Sequence, residues 1–217
     1  YPTLVQAVLE GDHERAVLLT RRAVEQGADP QDVAISGLQA AMLVVGRRFS
    51  SGEFFVPDML FAARAVTRSM EVLGPQLGGG VGATLGKVMV GTVAGDIHDI
   101  GKNLVAMFLR GAGFEVIDLG SDVSPQRFVE MVERHQPDIL GMSALLTTTM
   151  PAMGATVEAL ETAELRSAVK VVVGGAPVGQ HFADQIGADA YAPDGGAAIE
   201  LCRELAGKQT PSADPRR

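Results

Sequence analysis

The chain has 217 residues, 47% hydrophobic and 20% charged, which is enough apolar material for a packed core and too much for a disordered chain. A net charge of −8, no tryptophan and few aromatics argue against nucleic acid as the main partner. No apolar run approaches the ~20 residues of a membrane span, no secretory signal pattern is visible, and the single cysteine, Cys202, excludes a disulfide framework and a thiolate zinc site; a reducing cytoplasm is the expected compartment.

Residues 1–74 read as helices alone. "YPTLVQAVLEGDHERA" has the pattern of an acidic amphipathic helix, and Asp12 suits the N-cap of "HERAVLLTRRAVEQG", which stops at Gly27. "DPQDVAISGLQAAMLVVGRRFSSG" follows with Ala, Leu, Met and Val at helical spacing. A fourth helix begins near Pro57, a residue suited to a first turn, and runs "PDMLFAARAVTRSMEVLG". Four helices with short joints predict a small bundle. "GPQLGGGVGATLG" is uncharged and glycine-rich, so residues 75–86 are expected to form a flexible linker.

From Lys87 the pattern changes to strict alternation of short apolar strands and helices: "KVMVGTV", "FEVIDLG", "DILGMSAL", "VKVVVGG" and a weak "ADAYAP", each followed by a helical segment. Such alternation requires right-handed crossovers and a parallel sheet covered on both faces. The predicted class is α/β: an N-terminal four-helix bundle cap, then a Rossmann-like or flavodoxin-like five-stranded parallel sheet over 87–207. The polar tail 208–217 is expected to be disordered.

One loop concentrates the chemistry. "GTVAGDIHDIGKNLV", Gly91 to Val105, places His98 between Asp96 and Asp99 just past the C-terminal end of the first strand. In open α/β sheets, ligands bind outside the carboxyl ends of the strands. On the loop alone a structural reading stands beside a functional one: Asp99 could cap the next helix, Gly95 and Gly101 could ease a turn, and His98 could be a surface histidine. Gly91, Gly95 and Gly101 have the wrong spacing for a dinucleotide fingerprint, and there is no P-loop. A phosphoacceptor site would need a Lys after the last strand, where Tyr191 to Asp194 supply none. The other histidines, His13, His135 and His181, show no clustering for zinc. A metal already held by a macrocycle needs only one protein ligand. His98 could be that axial ligand, with Asp96 accepting a hydrogen bond from its other ring nitrogen. Haem fits this less well than a bulky cofactor with a long tail, because the loop is polar and glycine-rich.

"GDIHDIGKN" resembles the D-x-H-x-x-G signature of the cobalamin-binding fold through Asp96, His98 and Gly101. "GMSALLTTTM" is similar to the third-strand segment of that fold, and "VVVGGAPV" to its glycine-rich fourth strand. "SSGEFFVPDMLFAARAV" is similar to the cap bundle of methionine synthase and of corrinoid proteins in anaerobic methyltransferase systems. The resemblance covers roughly Leu4 to Leu205.

The resemblance implies a cobalamin or related corrinoid cofactor, with His98 as the lower cobalt ligand in place of the cofactor's dimethylbenzimidazole. Asp96 would bond His98, and Thr149 would complete the relay where many relatives have Ser. Ser143, Thr147, Gly174 and Gly175 would line a tunnel for the displaced nucleotide tail, although the two hydroxyls also suit ordinary buried side chains. Asp99, Ile100, Leu145, Ala176, Tyr191 and Asp194 would also bind the cofactor. Phe54, Phe55 and Met59 would cover the reactive upper face, against the commoner use of Phe as core. Met142 and Met150 suit simple core.

The function implied is a carrier, not itself a catalyst, that moves a methyl group on cobalt between methyltransferases. Its partners would be a substrate-specific barrel methyltransferase, a methyl-acceptor methyltransferase and a reductive activator. An alternative is the coenzyme-binding part of an adenosylcobalamin mutase, or a cobalamin-dependent light sensor.

Overall fold

The computed structural model describes residues 1–74 and 84–207. Positions 75–83 of the predicted linker, and the predicted tail 208–217, lie outside the described residues. The last three linker positions are ordered parts of the fold. Leu85 is buried and its N–H donates to the Gly113 carbonyl at 3.0 Å, while the Thr84 hydroxyl donates to the Gly86 carbonyl at 2.9 Å.

The first half is helical throughout. Helix α1 spans Pro2–Leu9 and α2 His13–Glu25. The opening segment is therefore two helices, broken at Gly11, where φ is +69°. The Asp12 carboxylate accepts from the Arg15 N–H at 3.0 Å, closing the first turn of α2. Helix α3, Pro30–Asp32, passes without a break through a π-helical segment, Val33–Gln39, into α4, Ala40–Ser50. The π-helical segment ends at Gln39, which is buried against the turn at Gly113. No pattern in the sequence announced it. Helix α5 spans Val56–Leu73, and its Asp58 carboxylate accepts from the Phe55 N–H at 2.8 Å. Apolar residues at helical spacing, such as Leu38, Met42, Met59 and Val66, fill the interior of this half.

The second half alternates as its pattern requires. Strands β1 (Lys87–Thr92), β2 (Glu115–Asp118), β3 (Ile139–Ser143), β4 (Lys170–Gly174) and β5 (Ala190–Ala192) form one parallel sheet in the order β2-β1-β3-β4-β5. The connecting helices are α6 (Ile100–Gly111), α7 (Pro125–His135), α8 (Pro151–Thr162) and α9 (Gln180–Gln185), and α10 (Gly195–Leu205) follows β5. This is the flavodoxin-like order, and its switch point lies between β1 and β3.

Side chains alternate across the strands with period two. Val88, Val90, Ile139, Val172 and Ala192 join one core layer, under α6, α10 and the helical half. Met89, Leu140, Met142, Val171 and Val173 join the other, under α7, α8 and α9. Both faces are dry, which is why the strands carry no polar alternation.

The bundle sits on the α6/α10 face. Phe49 packs on Phe108 with ring centroids 6.0 Å apart, and the Ser50 hydroxyl donates to Asp194 Oδ1 at 2.8 Å. Helices α4 and α10 cross at Gly46 and Gly196, so closely that a Cβ on Gly196 would overlap the Gly46 carbonyl oxygen. Gly196→Ala is therefore expected to destabilise the chain by about 1–3 kcal/mol, the usual cost of overpacking. Gly46→Ala, whose Cβ would meet the Gly196 Cα at 3.3 Å, should cost less. Urea unfolding of the two variants measures the difference.

Candidate functional site

The site begins with a buried carboxylate. Asp96 has no exposed surface, so every lone pair it carries must find a donor within the protein. Oδ1 accepts from the His98 backbone N–H at 3.0 Å and stands 2.8 Å from His98 Nδ1. Oδ2 accepts from the Leu145 N–H at 2.7 Å, the Leu146 N–H at 3.3 Å and the Thr149 hydroxyl at 2.7 Å. Burial alone would raise its pKa. The bonds from His98, Leu145 and Thr149 outweigh burial and hold the carboxyl well below the usual range.

An ionised Asp96 can only accept, so Nδ1 of His98 carries the hydrogen and Nε2 holds the free lone pair. The His98 side chain is half exposed. The loop presents one imidazole nitrogen in a fixed tautomer. Among the described residues, no three His, Cys, Asp or Glu side chains come together to cage a metal ion. The donor set thus fits a metal whose other ligands come from a macrocycle.

The surroundings fit the same kind of group. Ile97 and Ile100 are 75% and 78% exposed, beside the exposed Leu145 and Leu146, whose N–H groups hold Asp96. These four side chains put exposed apolar surface on the two loops that carry His98 and hold Asp96.

An apolar channel of about 370 Å³ runs between the sheet and helices α6 and α10. Its wall includes Val88, Ile139, Val172, Leu109 and Cys202, with Phe49 reaching in from the bundle. Gly101, Ser143, Gly174, Gly175, Ala176 and Asp194 also line it. Gly175 has φ +129°, and a Cβ there would overlap the Ala144 carbonyl oxygen, so only glycine permits the β3 and β4 exits to approach this closely. Lys102 lines the channel as a buried cation; its Nζ donates to Asp118 Oδ1 and to Asn103 Oδ1. Burial raises the Asp118 pKa, but the bonds from Lys102 and the Gly120 N–H bring it below the ordinary value. Burial pushes the Cys202 thiol up to about 12, so it is neutral wall and not a nucleophile.

Several residues stand elsewhere than the expectation placed them. Thr147 is exposed on the β3–α8 loop and does not line the channel. Tyr191 points to the α7/α8/α9 side of the sheet, because neighbouring residues of β5 alternate faces. Met59 is fully buried inside the bundle, so it offers no surface to a ligand. Phe54 is half-buried and stacks under Arg48, whose guanidinium carbon lies 5.2 Å from the ring centroid. Phe55 is 68% exposed and is the phenylalanine free to meet a ligand. Asp99 precedes α6 without a side-chain capping bond. Asp194 accepts from Ala197 N–H at 2.9 Å as well as from Ser50, so it caps α10 and fastens the bundle.

The sequence reading missed Ile97, Leu146, Phe49 and Lys102. Ile97 lay inside the quoted motif, and an apolar residue in an otherwise polar loop was the available signal. Phe49 carried none, since one Phe on a helix looks like core.

The B12-binding domain family matches residues 86–202, and a second B12-binding domain family matches residues 2–73. A corrinoid protein of Desulfitobacterium hafniense (strain Y51) is 41% identical over 208 residues, 94% of this chain and 96% of that protein. Trimethylamine corrinoid protein 2 of Methanosarcina acetivorans is 45% identical over 85% of this chain and 86% of that one. Among solved structures, a cobalamin-binding protein from Desulfitobacterium hafniense DCB-2 superimposes with a TM-score of 0.82 at 33% identity, covering 93% of this chain and 96% of that one. The methanol:cobalamin methyltransferase complex from Methanosarcina barkeri gives 0.81 at 30% identity, covering 96% of this chain and 80% of that one. The fold and the two family matches define a B12-binding α/β protein with a helical N-terminal part. The chain belongs to the B12-binding domain family, and its relatives are corrinoid proteins of methyltransferase systems.

Asp96 is held below its unfolded value of about 3.9, so the stability it contributes is complete above that pH and is lost as pH falls towards the folded value. Asp96→Asn replaces an acceptor with a donor facing Leu145 and Thr149, or facing His98. It is expected to cost about 1–3 kcal/mol at pH 7. Its stability should then fall less steeply than that of the wild type below about pH 4. Urea unfolding of both proteins from pH 7 to pH 2.5 reports both effects.

Proposed function

We propose that this chain is a corrinoid methyl carrier, with His98 as the protein's ligand to cobalt. When bound, the corrinoid supplies a cobalt centre that accepts a methyl group from one partner and yields it to another. The single observation that supports this most is the directed chain from His98 Nδ1 through buried Asp96 to the Thr149 hydroxyl.

Each residue in that chain has a definite task. Asp96 fixes the imidazole tautomer and raises the basicity of Nε2 towards a metal. The Asp96 carboxylate, 2.8 Å from Nδ1, holds the ring so that Nε2 faces away from the buried charge. The Thr149 hydroxyl lies 2.7 Å from Asp96 Oδ2 and 2.8 Å from the Leu146 carbonyl, yet has one hydrogen to give. Given to Oδ2, that hydrogen joins the Leu145 and Leu146 N–H groups in keeping Asp96 an acceptor towards His98.

The channel would take the cofactor's nucleotide tail. Its wall is mainly apolar, and Gly174 and Gly175 let a ligand run close to the backbone. Exposed Phe55, at the start of α5, would shield the opposite face of the ring. Residues 1–74 would then act as the cap and 87–207 as the corrinoid-binding unit.

The partners follow from the relatives. Proteins named trimethylamine and dimethylamine corrinoid proteins, and a methanol:cobalamin methyltransferase complex, resemble this chain. They support a methyltransferase as partner, and we propose a substrate-specific barrel enzyme as methyl source. A methyl-acceptor methyltransferase and a reductive activator complete the cytoplasmic cycle we propose.

Two measurements test this reading. Labelled with 15N-histidine, reconstituted with cobalamin and reduced to cobalt(II), the wild type should show the superhyperfine splitting of a 15N ligand in its EPR spectrum in place of that of the cofactor's own 14N base, and His98→Ala should lose the 15N pattern while still binding the cofactor. Splitting unchanged by the substitution would remove His98 from the cobalt. Titrated into apo protein, methylcobalamin should bind about tenfold more tightly than adenosylcobalamin, roughly 1.4 kcal/mol, with the preference reduced in Phe55→Ala. Tighter binding of adenosylcobalamin, indifferent to Phe55, would favour a mutase or sensor module instead.

A further inference from the structure

The His98 loop is braced from a direction the motif does not show. The loop between β2 and α7 runs alongside it, and Val93 and Val123 form an isolated parallel bridge between the two. At the centre of this contact is Asp122, an exposed residue with φ +54°, a left-handed conformation that costs an L side chain energy but is tolerated by Asp. In that conformation it makes two bonds to adjacent positions of the His98 loop. Its carboxylate Oδ1 accepts from the Gly95 N–H at 2.7 Å, and its own N–H donates to the Asp96 carbonyl at 2.9 Å.

The other end of the bracing loop is fastened too. Asp118 accepts from the Gly120 N–H at 2.9 Å and is paired with the buried Lys102 of α6. The Gly120 carbonyl accepts from the Thr92 N–H at 3.0 Å, and the Thr92 hydroxyl donates to the His98 carbonyl at 3.3 Å. Asp96 is thus held by its side chain from the β3–α8 loop and by its backbone from the β2–α7 loop.

We infer that Asp122 is a positioning residue for the lower ligand: it clamps the backbone at Gly95 and Asp96 and so fixes where His98 presents Nε2. This rests on the reading of His98 as the ligand to cobalt. The left-handed backbone is the observation that gives the idea its force. A surface Asp with no task could relax to an ordinary conformation, whereas here relaxation would turn the N–H and carboxylate away from the loop.

Two variants separate the carboxylate from the backbone conformation. Asp122→Gly adopts φ +54° readily but cannot accept from Gly95. Asp122→Asn tolerates the same conformation and retains an acceptor oxygen. In the apo protein, hydrogen exchange of peptides covering residues 93–99 should be about tenfold faster in Asp122→Gly and near the wild-type rate in Asp122→Asn. In protein labelled with 15N-histidine, loaded with hydroxocobalamin and reduced to cobalt(II), Asp122→Gly should show a smaller 15N-ligated EPR fraction and about tenfold weaker binding, with Asp122→Asn within twofold of wild type. Wild-type exchange rates and nitrogen ligation in Asp122→Gly would overturn the inference. So would equal damage in both variants, or a fall in melting temperature in Asp122→Gly that exchange across the whole sheet shares. Absence of 15N splitting in the wild type would instead sink the reading of His98 itself, and this inference with it.

Discussion

Everything at the site depends on one buried negative charge. A carboxylate out of contact with water is tolerated only where donors surround it. Asp96 collects its donors from two loops far apart in sequence, those following β1 and β3. Those loops meet because β1 and β3 are neighbours, at the point where the strand order reverses. The topology therefore creates the place in which a lone carboxylate can be stable, and the carboxylate in turn orients the imidazole. The backbone clamp from Asp122 adds a third loop to the same group.

The second feature is the mainly apolar channel between the sheet and helices α6 and α10. The channel lies on the face of the sheet that α6, α10 and the bundle cover, and Phe49 of the bundle forms part of its wall. Phe49 contributes directly, and the Gly46–Gly196 crossing and the Ser50–Asp194 bond set how closely the cap approaches. Cap and sheet are thereby linked energetically: a change in the α4–α10 contact would reach the channel wall through α10, whose Gly195, Ala198 and Cys202 line it. The opposite face of the sheet shows ordinary dense packing of α7, α8 and α9 and serves as support.

Much of this was legible in the chain. The change from helical to alternating grammar at Lys87 revealed both the bundle and the five-stranded sheet, because period and apolar run length are local properties. The motif around His98 was legible because three residue types at fixed spacing have few structural explanations in common. Thr147 and Tyr191 were harder. Each lies in the right segment, but a loop conformation and a strand register decide which way a side chain points, and a shift of one residue reverses it. Met59 was misplaced for a similar reason: its neighbours Leu60 and Phe61 are exposed, and helical phase alone buried it.

The sequence by itself determined the fold class, the strand and helix order and the short motif that carries Asp96 and His98, since all three rest on short-range pattern. Only the tertiary structure decided that Asp96 is fully dry, that Leu145, Leu146 and Thr149 supply its donors, and that Asp122 grips the same loop. These are contacts across 27 to 53 residues of chain, and no local spacing encodes them. They come from the order in which parallel strands lie side by side, which the packing of the whole sheet fixes.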